Sequence, residues 1–103
     1  MTESEIYFQY NSAVKQAEKL DEIARKLQKI AADRMEGTLR SLKNVWQSDN
    51  SPQYYQKAGQ VQEDLSSTAS QIQKIADGIR TIAESVKNAE LRALEIARNR
   101  TYR

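Results

Sequence analysis

The sequence predicts an all-α protein, a long antiparallel two-helix hairpin that pairs with a second hairpin into a four-helix bundle. Three observations predict this fold. Hydrophobic residues make up 39% and charged residues 29% of the 103 residues, and only 3 Gly and 1 Pro interrupt stretches of good helix formers. Apolar residues recur at intervals of three and four on both sides of a short polar junction. The single proline, Pro52, follows Ser51 at the end of that junction, and Ser-Pro is a favoured start for a helix.

The first helix is expected from about residue 11 to residue 46. Residues 2–5, Thr-Glu-Ser-Glu, fit a capping box that would start a helix at once. Residues 6–10 are aromatic and β-leaning, however, and the Asn-Ser pair at 11–12 is a better cap that good helix formers follow. The prediction therefore places the start near residue 11 and treats residues 6–10 as an extended lead-in.

The apolar stripe of the first helix loses its strict heptad near Ala31. From there the register steps by four to Met35, so the supercoil is expected to relax locally. Ile23 and Ile30 widen the stripe on one side, which predicts more than one packing partner. The stripe consists of Ala17, Leu20, Ala24, Leu27, Ala31, Met35, Leu39, Leu42 and Trp46.

The second helix is expected over about residues 52–97, with a seam that alternates steps of three and four as in a coiled coil. Gly59 and Gly78 each cost about 1 kcal/mol relative to Ala and are interpreted as tolerated for close packing. The alternative is a break of the helix at Gly78. The seam continues past Gly78 in register, which argues against this break. The seam is Ala58, Val61, Leu65, Thr68, Ile72, Ile75, Ile79, Ile82, Val86, Ala89, Ala93 and Ile96, and Ala69, Ala76 and Ala83 flank it so that a neighbouring helix can approach closely.

A turn at residues 47–51 would join the two helices within a single domain, residues 1–103. So short a connection folds long helices back on each other. A first helix that starts at residue 11 covers an equal run of the second helix, ending near Lys87. The seam beyond Lys87 is therefore expected to overhang, and either to fray or to be covered by another chain. The basic tail, residues 98–103, is expected to be disordered at its end.

No catalytic residue, cofactor or metal site is predicted. The chain has no Cys and no His, so it lacks thiol chemistry, the commonest general base and the commonest zinc ligand. The carboxylates of Glu63-Asp64 and of Glu3 and Glu5 lie on a polar face or a free end, where nothing would desolvate them. Interspersed charges with a net charge of +2 do not indicate nucleic-acid binding. The acidic N-terminus is not a signal peptide, and no apolar run is long enough to span a membrane.

The turn motif Trp46-Gln47-Ser48, with the chain length and the two long helices around it, resembles the WXG family. These are small ESAT-like helical hairpins associated with type VII secretion in Gram-positive bacteria and mycobacteria. The resemblance covers about residues 6–86. The family motif is Trp-x-Gly, and serine replaces its glycine here, although Gly allows backbone angles that Ser resists. The family's export signal, Tyr-x-x-x-Asp/Glu just past the second helix, is not found, since a single residue follows Tyr102.

The resemblance implies a small non-enzymatic protein of a type VII secretion system, acting as a secreted substrate or as the dimer partner of one. A heterodimer with another WXG-like chain is favoured over a homodimer. A larger type VII-exported toxin and the secretion ATPase are further implied partners. The protein would be cytoplasmic before export and secreted by a signal-peptide-independent route. The alternative is a cytosolic adaptor or targeting chaperone for such a toxin, and a third hypothesis is a generic coiled-coil scaffold.

The predicted sites are an interface and the turn. Trp46 is expected to close the open end of the hairpin against Tyr54 or Tyr55, a role compatible with recognition by the secretion machinery. The residues expected at the interface with a second chain are apolar and lie on the broad faces of both helices. They are Ile23, Ile30, Met35, Leu39, Ile72, Ile75, Ile79, Ile82, Val86 and Ile96.

Overall fold

Helices account for all the secondary structure in the part of the chain that the computed structural model describes, residues 2–45 and 51–101, with side chains at 2–42 and 52–100. The elements are α1 (Glu3–Lys29), a π-helical turn (Ile30–Arg34), α2 (Met35–Val45) and α3 (Ser51–Thr101). The all-α prediction is confirmed. None of these described helices combines the length and the apolar run that crossing a membrane requires.

The start of α1 differs from the prediction. The helix begins at Glu3 rather than near residue 11, so residues 6–10 are helical and are not an extended lead-in. Thr2 caps it, because its Oγ1 accepts the Glu5 N–H at 3.2 Å and its carbonyl accepts the Ile6 N–H at 3.1 Å. Ile6 is 2% exposed. A satisfied cap and a buried isoleucine together outweigh the weak β-propensity of the aromatic segment.

The π-helical turn lies where the stripe of the first helix loses its heptad. The turn spans Ile30–Arg34, and the N–H of Met35 bonds to the carbonyl of Ile30. The hydrogen bond of a π-turn spans one residue more than that of an α-turn. The residues that face the neighbouring helix after the turn therefore come one position later in the sequence than a regular α-helix would place them. The step of four from Ala31 to Met35 therefore coincides with a change of helix type.

The third helix is continuous over 51 residues. It passes Gly59 and Gly78 without interruption, so the alternative of a break at Gly78 is wrong. A Cβ added at either glycine would meet nothing within 4 Å, so neither glycine serves close packing within the described residues. The helix runs to Thr101, past the predicted end at residue 97. The positive charges of Arg98 and Arg100 in its last turn interact favourably with the negative end of the helix dipole.

The contacts divide the chain into two units, and each combines a stretch of α1 with a stretch of α3. The terminal unit comprises Met1–Leu20 and Lys74–Arg103, and the middle unit comprises Asp21–Gln73. In the terminal unit the carboxylate of Glu3 lies 3.8 Å from the guanidinium of Arg98.

Five of the six fully buried apolar residues among the described residues are alanines. The terminal unit buries Ile6, Ala17 and Ala76, and the middle unit buries Ala24, Ala31 and Ala69. Along each helix these alanines are seven residues apart, so they occupy one face. Because the distance between two packed helices depends on the side chains at their contact, alanine allows a close approach.

The predicted seam of the second helix is therefore wrong in its position. Ala69 and Ala76, expected to flank the seam, are the buried residues. The expected seam divides into half-buried residues, such as Ile72 and Ile79, and exposed ones, such as Ile75 and Ile82. The reason is that the apolar surface of α3 is wider than one seam, and its alanine edge, not its isoleucine edge, meets the other helix.

The predicted overhang of the second helix is also wrong. Because α1 begins at Glu3, it reaches the part of α3 beyond Lys87, where Ile6 and Leu94 line the same small cavity. The prediction of an uncovered helix end followed from placing the start of α1 too late. Ala89, Ala93 and Ile96 are nevertheless exposed, because they lie on another face of the helix.

Candidate interaction surface

An exposed apolar stripe runs along α3 in the terminal unit. Ile75, Ile82, Val86 and Ile96 are 57%, 65%, 47% and 50% exposed. Their spacing places them on one face, and the exposed Ala89 and Ala93 fill the gap before Ile96. We call these six residues the α3 stripe. Scattered apolar residues are normal on protein surfaces, whereas contiguous ones mark interaction sites.

A groove of about 310 Å³ adjoins the α3 stripe in the terminal unit. Ile82 and Val86 belong to both features. The remaining apolar lining comes from the first turns of α1 and from the neighbouring face of α3, and it includes Ile6, Ala13, Ile79 and Ala83. The groove therefore extends the apolar surface of α3 towards α1.

A lysine lies on aromatic rings at the margin of this groove. The Nζ of Lys87 lies 4.4 Å from the ring centroid of Tyr10 and 6.0 Å from that of Tyr7. Such a cation–π contact contributes about 0.5–1 kcal/mol when it is exposed and more when water is excluded. Lys87 and Tyr10 are both half-buried, so the contact links α1 and α3 of the terminal unit.

One carboxylate oxygen in the wall of this groove has no hydrogen-bond partner among the described residues. Oε2 of Glu90 is buried and makes no hydrogen bond to any described residue. Glu90 lines the groove and also the adjoining cavity that contains Ile6 and Leu94. A buried acceptor that stays unpaired costs about 1–3 kcal/mol, and more if it is charged. No described residue donates a hydrogen bond to this oxygen, so a donor that enters the groove could pair with it.

The middle unit contains a polar side chain that does find its partner. The Nε2 of the half-buried Gln62 donates to the carbonyl of Ala31, inside the π-helical turn. Gln62 stands seven residues before Ala69 and therefore on the alanine face of α3. The bond joins the first part of the chain to α3 across the alanine contact.

The structure distributes the predicted interface residues over both units. Trp46, Gln47 and Ser48 lie outside the described residues. Met35 and Leu39 come together with Ala58 around a cavity of about 290 Å³ in the middle unit. The exposed candidates are Ile23, Ile75, Ile82, Val86 and Ile96, and the half-buried ones are Ile30, Met35, Leu39, Ile72 and Ile79.

Sequence reasoning missed Tyr10, Gln62, Lys87 and Glu90 as site residues. A signal for two of them was present, because positions 62, 69, 76, 83 and 90 form one heptad line with a polar residue at its first and last position. A search for apolar spacing passes over those two positions. The aromatic partner of Lys87 was hidden because the prediction did not include Tyr10 in the helix.

The arrangement of these groups suits the binding of another protein surface. It combines exposed isoleucines, an apolar groove, an ammonium group on an aromatic ring and an unpartnered carboxylate oxygen. Comparison of the chain with family models, with curated proteins and with solved structures finds no match.

Proposed function

We propose that this protein is a small non-enzymatic helical hairpin that binds a second helical chain, and that it acts in a type VII secretion system as a secreted substrate or as the dimer partner of one. The α3 stripe is the observation that carries the pairing, because it leaves a row of large apolar side chains exposed. The secretion role rests on the resemblance of the sequence around Trp46 to the WXG family.

Contacts inside each unit support the hairpin. In the terminal unit Glu3 lies against Arg98, and Tyr10 lies against Lys87. Later residues of α1 therefore contact earlier residues of α3. In the middle unit Ala31 bonds to Gln62, and Leu39 lies with Ala58 around one cavity. Within this unit, too, later residues of the first part of the chain lie beside earlier residues of α3. Antiparallel packing of α1 against α3 produces contacts of this kind.

The energy of the stripe favours a partner that touches more than one helix. Fully burying an isoleucine contributes about 1.5–3 kcal/mol, and the four large side chains of the stripe are each about half exposed. Covering them would give about 4 kcal/mol, whereas a micromolar dimer needs about 8 kcal/mol. A four-helix bundle would add further apolar contacts, and the exposed Ile23 is a candidate for one of them.

The first test introduces a charge into the stripe. Ile82→Glu should abolish pairing, because a buried unpaired carboxylate is costly, and helix content should persist because Ile82 is exposed in the single chain. Phe8→Ser is the matched control, since Phe8 is 72% exposed but does not line the groove. The mass is measured by light scattering, alone and with the products of the adjacent genes.

The expected result is a complex for the wild-type chain and for Phe8→Ser, and a monomer for Ile82→Glu. A wild-type monomer under every mixture, or a complex that tolerates Ile82→Glu, would contradict the pairing. The secretion role is tested in a strain with working type VII export. Retention of the protein in the cytoplasm, with its neighbouring helical proteins present, would count against export.

The adaptor alternative draws on the same surface, because an apolar stripe also fits an exposed helix of a larger toxin. Co-expression with a neighbouring toxin distinguishes the two roles. An adaptor remains bound to the toxin and protects its helices from protease, whereas an independent substrate leaves protection unchanged.

A further inference from the structure

We infer that the groove of the terminal unit seats an amphipathic helix of the partner, and that this helix carries a cationic side chain that pairs with Glu90. The inference rests on the proposed pairing function and names the chemistry that the partner must have. Three observations in the terminal unit carry it: the apolar lining of the groove, the unpartnered carboxylate oxygen and the engagement of Lys87.

The lining of the groove defines the main part of the occupant. Ile79 and Ala83 lie in the wall from α3, Ala13 lies in the wall from α1, and the exposed Ile82 and Val86 form the rim. A groove lined by two helices matches a third helix that inserts apolar side chains at intervals of three and four. A helix is therefore the occupant that this surface fits.

Glu90 defines the charge that the occupant must carry. Its Oε2 is buried and has no hydrogen-bond partner among the described residues, and Glu90 lines the groove together with Ile6. Oε2 is unpaired as an acceptor, so the missing group is a hydrogen-bond donor. A cationic donor forms a shorter and stronger bond to a carboxylate than a neutral one does.

The cation one helical turn before Glu90 is already engaged. Lys87 precedes Glu90 by three residues, but its Nζ lies over the ring of Tyr10 at 4.4 Å. Arg98, about two helical turns further along α3, lies 3.8 Å from the carboxylate of Glu3. The cation for Glu90 is therefore expected from outside the described chain.

The spacing along α3 gives the pattern expected in the partner. Val86 and Glu90 are four residues apart, which is one helical turn, or about 6 Å along the axis. A partner helix that places an apolar side chain beside Val86 would bring an arginine or a lysine to Glu90 from one turn away. The expected motif is an apolar row with a cation three or four residues from one of its members.

The experiment uses two synthetic helical peptides that differ at a single position. Both carry leucines at i, i+3 and i+7, and one turn further the first has Arg and the second has Glu. Binding to the full-length protein is measured by calorimetry. The Arg peptide is expected to bind about 10-fold tighter than the Glu peptide. Glu90→Gln should remove most of this ratio.

Glu84→Gln is the matched control, because Glu84 is an exposed carboxylate of the same helix that does not line the groove. It should leave the ratio unchanged. Equal binding of the two peptides, a ratio that persists in Glu90→Gln, or no binding of either peptide overturns the inference. If Ile82→Glu still abolishes pairing with an adjacent gene product in that case, the proposed function stands and only the cationic motif is wrong.

A second readout separates binding from stability. Glu90→Met replaces the unpaired acceptor by an apolar side chain, so the melting temperature of the isolated protein should rise, by about 4 °C. The same variant should lose the preference for the Arg peptide. A fall in melting temperature would show that Glu90 serves the fold of the single chain, and would overturn its role in binding.

Discussion

Gln62 in the middle unit and Glu90 in the terminal unit occupy the same heptad line of α3, with Ala69, Ala76 and Ala83 between them in the sequence. Both are half-buried and polar in a line of small apolar residues. Gln62 donates its amide to the carbonyl of Ala31. Glu90 holds a buried oxygen that has no partner among the described residues.

The difference between Gln62 and Glu90 shows that a polar residue in a contact between helices can have either of two roles. A bond within the chain makes such a residue part of the fold, because removing it would leave the other partner unsatisfied. A buried polar group without such a bond destabilises the single chain, and a binding partner that supplies the bond would remove this cost. Gln62 belongs to the first kind, and we assign Glu90 to the second.

The largest expected effect tests the alanine line itself. Ala69→Leu forces a larger side chain into a position that is 0% exposed, and overpacking of this kind typically costs about 1–3 kcal/mol. Ala89→Leu is the control, since Ala89 is an exposed alanine of the same helix and should change stability by less than about 0.5 kcal/mol. Urea denaturation measures both variants. Equal effects would mean that the line is not the tight contact.

The next effect tests the comparison directly. Gln62→Leu leaves the Ala31 carbonyl without its side-chain donor, so the free energy of unfolding should fall by about 1–2 kcal/mol. Glu90→Leu should leave it unchanged or raise it, because it removes an unpaired acceptor. Urea denaturation of the two variants gives the sign of each change. A loss of stability in both would remove the distinction between the two residues.

The smallest effect uses two glycines, one in each unit. A Cβ at Gly59 or at Gly78 would meet nothing within 4 Å, so Gly→Ala should stabilise the helix by about 0.5–1 kcal/mol at either position. Thermal unfolding of the isolated protein measures this gain. Gly78 stands between Ile75 and Ile82, beside the α3 stripe, whereas Gly59 lies in the middle unit. Gly78→Ala should therefore weaken pairing more than Gly59→Ala does, and an equal effect on pairing would place the partner elsewhere.

Composition and periodicity predicted the helical class and the continuity of α3, because those properties depend on propensities summed over long segments. They failed at the start of α1. There, one capping residue, Thr2, and one buried residue, Ile6, determine where the helix begins. A single residue changes a helix propensity summed over a long segment only slightly.

The position of the contact on α3 could not be predicted for a different reason. Apolar spacing locates a face but does not say which edge of a wide face meets the chain's own helix. Ile75 and Ala76 are neighbours in the sequence, yet one is 57% exposed and the other is fully buried. Gln62 and Glu90 were missed because their importance depends on the groups across from them, which spacing does not report.

The alanine contact has a consequence for register. Methyl groups form a smooth surface, and in the middle unit Ala24 and Ala31 repeat after seven residues, so a shift of one helix along the other by that distance would again place alanine against alanine. The smooth surface itself offers little resistance to such sliding. The amide of Gln62 donates to the carbonyl of Ala31 in the π-helical turn. A shift by seven residues would break this bond, so the bond favours one alignment of the helices over the others that the alanines allow.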